Sequence, residues 1–133
     1  MRVAFGLVVA LAACNATTSP GPPLPKTEVT DARYKGLVFL VATVRQAGTN
    51  FVVTNDSTQP WFDVTLVIVG AGTDEYRLHL SEIDAGQSVT APATQFVGSG
   101  GVAVNAERVM PHTLIVSAEI GEGGPTGIYA VRL

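Results

Sequence analysis

The chain has 133 residues, 47% hydrophobic and 14% charged, which excludes a disordered or highly charged tail. Its formal net charge is -3, and Lys26, Arg33, Lys35, Arg45, Arg77, Arg108 and Arg132 are scattered, so the clustered basic patch that nucleic acid requires is missing. One cysteine allows no internal disulfide, so the fold rests on its apolar core.

The first element is a leader. Met1-Arg2 supplies a short positive start, and "VAFGLVVALAA" (3–13) is an apolar run. The run is shorter than the ~20 residues of a transmembrane helix. It closes in Leu11-Ala12-Ala13-Cys14. This tetrapeptide resembles the lipobox of bacterial lipoproteins. The resemblance implies cleavage between Ala13 and Cys14 and a diacylglyceryl group on the Cys14 sulfur. The new N-terminal amine is a further acylation point, and two or three acyl chains anchor stably where one is marginal. Residues 1–13 are then a signal peptide, and losing Arg2 takes the net charge to -4. Asn15 stands where an aspartate holds enteric lipoproteins at the inner membrane. The expected location is therefore the bacterial cell envelope, at the outer membrane and facing the periplasm.

Residues 14–32 read as the lipidated cysteine and a tether, "CNATTSPGPPLPKTEVTDA". Pro20, Pro22, Pro23 and Pro25 donate no ladder hydrogen bonds and bias the chain to extended polyproline II. At roughly 3.1 Å per residue the segment reaches about 50 Å, which would hold the domain clear of the headgroups.

Residues 33–133 read as one domain of strands. "LVFLVATVR" (37–45) is a long apolar run rich in Val and Thr, and the "QAGTN" turn leads it into "FVVTN" (51–55) as a hairpin. "NDSTQP" is a turn, with Asn55 suited to shape it. "WFDVTLVIVG" (61–70) sets Val64, Leu66 and Ile68 against Asp63, Thr65 and Val67. "YRLHL" (76–80) sets Tyr76, Leu78 and Leu80 against Arg77 and His79. "DAGQ" turns into "SVTAP" (88–92), and "VGSGG" (97–101) reads as a flexible loop. "TLIVSAEI" (113–120) alternates again, and "GEGGPTG" turns into "IYAVRL" (128–133). About seven strands with one-sided alternation predict an all-β fold, an antiparallel immunoglobulin-like β-sandwich without the immunoglobulin cysteine pair. The order of Asn-containing turn, strand and Gly turn over residues 50–90 resembles small bacterial envelope sandwich domains of the FxLYD type. That family's namesake motif is absent here, and the resemblance carries over no catalytic residue.

The chemistry-bearing residues form no constellation in sequence. His79 and His112 lack the spacing of an HxH or HExxH ligand set, and Ser99 lacks the GxSxG elbow. Neither a metal nor a cofactor is expected, and no enzyme. Asp74, Glu75, Glu82 and Asp84 flank two turns and, without an Asp-x-Asp-x-Asp-Gly loop, read as solvated turn charges rather than a weak calcium site. Trp61 is the candidate ligand platform, because an exposed indole stacks on sugar faces; the competing expectation is that it closes the core. The expected function is a lipid-anchored envelope protein with a non-catalytic interaction or structural domain, its partner an envelope protein or glycan. The alternative is a carbohydrate- or peptidoglycan-binding module built on Trp61.

Overall fold

A computed structural model describes residues 19–70, 75–98 and 111–133. The stretch Leu11-Ala12-Ala13-Cys14 lies outside the described residues, as do Asn15, Asp74 and Ser99.

Among the described residues, eight strands form two facing sheets. They are β1 (Val38–Phe39), β2 (Ala42–Ala47), β3 (Asn50–Asn55), β4 (Trp61–Gly70), β5 (Glu75–Ile83), β6 (Ser88–Pro92), β7 (Pro111–Ile120) and β8 (Thr126–Arg132). One sheet has the order β1-β8-β7-β4-β5 and the other β2-β3-β6. All pairings are antiparallel except β1 with β8. The last strand lies between β1 and β7, the hairpin β2–β3 is in the opposite sheet, and the two sheets form the expected all-β sandwich. The core between the sheets follows the alternation: Val64, Leu66 and Ile68 of β4 and Leu114, Val116 and Ala118 of β7 all point into it. Phe51 and Phe96 meet there edge to face, with ring centroids 6.1 Å apart.

The apolar run 37–45 is not one strand. It pairs with β8 as β1, crosses between the sheets at buried Leu40, and continues as β2 in the other sheet. The crossing is tight. A Cβ on Gly127 would sit 2.6 Å from the Leu40 side chain, so a larger residue there would force buried Leu40 to shift.

The free tether expected up to residue 32 does not hold for residues 21–32, and the folded body does not begin at residue 33. Gly21 and Leu24 donate backbone hydrogen bonds to Gln46 and Val44 on the outer edge of β2. Thr27 then donates to Ala130 of β8, and Arg132 to Pro25. This segment therefore leaves one sheet for the other and closes one side of the sandwich. Proline limits a strand only where a donor is needed, and the non-proline residues Gly21, Leu24 and Thr27 supply those donors.

Residues 28–37 next run across the outer face of the five-stranded sheet as a strap, with a 3₁₀ turn at Ala32–Tyr34. Val29, Tyr34 and Leu37 of the strap pack on Val67, Ile115, Ile128 and Ala130, forming a second small core. A sheet face carrying that much apolar surface needs such a cover.

Candidate functional site

The strap and the closing segment frame the most distinctive surface. Where they part, a groove of about 200 Å³ opens, lined by Lys26, Tyr34, Lys35, Phe39 and Tyr129 among others. Beside it runs β1, the edge strand of the five-stranded sheet. The crossing that buries Leu40 turns its neighbours outward. Val38 is 47% exposed, Phe39 68% and Val41 61%, three of the four large exposed hydrophobics among the described residues. The Lys26 ammonium lies over the Phe39 ring, 4.1 Å from its centroid, and 6.0 Å from that of Tyr129. The site thus combines an unpaired backbone edge, an apolar wall and a positive charge held against aromatic faces. Geometrically, an extended chain can lie along this edge.

The strap that forms one wall is fixed by charge. Arg33 bonds Asp31, which caps the 3₁₀ turn, and reaches across to Glu75 at the start of β5. Arg77 also donates to Glu75, at 2.8 Å. Hydrogen bonding from Arg33, opposed by partial burial, holds the Glu75 carboxyl below the usual carboxylate range, and Arg33 lowers Asp31 in the same way.

The residues singled out in the sequence fall elsewhere. Trp61 is fully buried at the start of β4, so it is not a stacking platform, and the glycan-binding alternative loses the residue that carried it. The competing expectation, that Trp61 closes the core, is the one the structure bears out. His112 lies in β7. His79, exposed on β5, bonds Asp63. Asp63 has φ 52 and sits where the β4–β7 register shifts, a bulge conformation that aspartate tolerates better than most residues. Glu75 and Glu82 occupy opposite ends of β5 and do not meet. Glu82 does meet Asp84. That hydrogen bond, with the Asp84 and Glu122 charges, raises the Glu82 carboxyl. Among the described residues no three His, Cys, Asp or Glu side chains gather to hold a metal. Val97 and Gly98 are not a floppy start to a glycine loop: Val97 exchanges two backbone hydrogen bonds with Arg77, and Gly98 lies against the Tyr76 ring.

Lys26 and Phe39 were missed because one stood in an apparent tether and the other in an apparently buried run. The available signal was the run itself: in "LVFLV" both faces are apolar, and an edge strand beside a crossover covers only one of them.

No family model matches the chain, and no curated protein or solved structure matches it.

Proposed function

We propose that the protein is a lipid-anchored component of the bacterial cell envelope, at the periplasmic face of the outer membrane. Its sandwich is a non-catalytic module that binds an extended segment of an envelope protein at the β1 edge. The observation that carries the anchoring is Leu11-Ala12-Ala13-Cys14, which ends an apolar run and holds the only cysteine. In support of the binding role, β1 leaves an edge unpaired beside exposed Val38, Phe39 and Val41. A strand added there gains main-chain hydrogen bonds, and its side chains meet the apolar wall and the Lys26 charge. Anchoring supplies the rest, because confining the module to a membrane raises its effective concentration towards neighbours.

Metabolic labelling with a palmitate analogue tests the anchor. Label and membrane association are expected in the native protein and lost in Cys14→Ala. A native protein that takes no label and is recovered soluble overturns the reading. A photocrosslinking residue at Phe39 tests the module: it is expected to capture an envelope protein that the same residue at Gln87, exposed on the opposite sheet's side of the fold, does not.

A further inference from the structure

The route of the chain into the sandwich fixes which end of the domain meets the membrane. Gly21 is already hydrogen-bonded to Gln46, next to the β2–β3 turn. Seven peptide steps separate it from Cys14, which extend to at most about 25 Å. The tether is therefore half as long as its proline-rich composition suggests, because residues 21–27 are consumed by pairing with β2 and β8.

Gln46, Gly48, Thr49 and the 3₁₀ turn Ala93–Gln95 share this end of the sandwich, since Ala93 donates to Thr49. The opposite end lies the length of β4 away, and ten residues of strand span about 33 Å. The charges of the described residues differ between the two ends. At the near end the carboxylates Asp31 and Glu75 are paired with Arg33 and Arg77. Asp56, Glu82, Asp84 and Glu122 sit at the far end, in the loop after β3, the end of β5, the β5–β6 turn and the β7–β8 turn. An acidic end is repelled by anionic headgroups and is disfavoured as the membrane-facing one.

Resting on the lipid-anchored reading above, we infer that the domain stands upright on a short leash. The end bearing Thr49 and Thr94 faces the lipid surface, and the acidic end with Asp84 points into the periplasm. This orientation places β1 to advantage. Val38 pairs with Gly127 at the start of β8, so the exposed edge opens towards the membrane-distal end.

The full-length lipidated protein in phosphatidylethanolamine–phosphatidylglycerol vesicles tests this. Lipidation consumes the Cys14 thiol, so Thr94→Cys or Ala85→Cys then supplies the single free thiol for a fluorophore. A headgroup spin label is expected to quench the Thr94→Cys probe at least about threefold more than the Ala85→Cys probe, given ends ~30 Å apart. Inserting a long Gly-Ser segment between Asn15 and Pro20 should erase the difference. Equal quenching at both positions in a membrane-bound native-length protein overturns the orientation while leaving the anchor intact. A second reactive thiol, at Cys14, shows that lipidation itself fails, and the orientation falls with it.

Discussion

The side-chain amide of Asn55, on the three-stranded sheet, donates to the backbone carbonyl of Ile83, on the five-stranded sheet, at 3.0 Å. The same amide donates to Gln59, and the Asn55 carbonyl accepts from the Ser57 amide and hydroxyl. A fully buried polar residue is thereby satisfied on every side and ties the two sheets together. Asn55→Ala leaves those backbone groups unpaired in the interior and should cost about 2–4 kcal/mol in urea unfolding. Asn55→Asp should cost at least as much, since it faces an acceptor towards two carbonyls. Although Asn55-Asp56-Ser57 forms a glycosylation sequon, this burial closes it to modification in the folded protein.

The strap clasp gives a pH dependence of definite sign. Glu75 and Asp31 have lowered carboxyl pKa values in the fold, against ordinary values near 4 in the unfolded chain. Their contribution is therefore complete above the unfolded values and is lost as pH falls through the folded ones. Methyl resonances of Val67 and Ile115 under the strap should stay fixed from pH 7 to about 5 and shift below pH ~4. Glu75→Gln should remove most of that acid transition, with a stability loss at pH 7 under about 1 kcal/mol because the pair is partly exposed.

Covering the outer face is a larger effect than the clasp. A chain lacking residues 19–32 loses the pairing of Gly21, Leu24 and Thr27 and the contact of Val29 with the second core. Its unfolding free energy should fall by about 3 kcal/mol or more, and it should bind a hydrophobic dye that the intact domain does not. An unchanged denaturation midpoint would show that the segment is a passenger.

Trp61 offers a spectroscopic check. Fully buried, it should emit blue-shifted fluorescence and resist acrylamide quenching until the domain unfolds. Trp61→Ala should cost about 3–5 kcal/mol through the cavity it leaves. Trp61→Phe should be milder, near 1–2 kcal/mol, because among the described residues the buried indole Nε1–H finds no acceptor, and its removal offsets part of the lost volume.

Strand positions were legible because alternation survives wherever one face is dry and the other wet, as in "YRLHL". The hairpin turn and the Asn55 loop were legible from turn chemistry. The strap was not, although its imprint was present: Val67, Ile115, Ile128 and Ala130 stand on the face that one-sided alternation assigns to solvent. Four apolar residues on a supposedly wet face call for a cover. Proline content misdirected the assignment of residues 21–32, since it reports extended backbone and says nothing about whether that backbone is paired. The β1 edge was illegible for another reason. Which side of "LVFLV" is buried depends on a crossover between sheets, a tertiary fact with no local code.

Parallel pairing of β1 with β8, together with the bridge from Lys26 to Val131, joins segments near the start of the described residues to the last described strand. Contacts this distant in sequence are slow to form and cannot be made while the C-terminal strand is absent. A nascent chain therefore lacks the partner for its own N-terminal segment. Native closure of the sandwich must wait until residues 126–132 arrive, so the architecture itself delays folding until nearly the whole of the sequence is available at once.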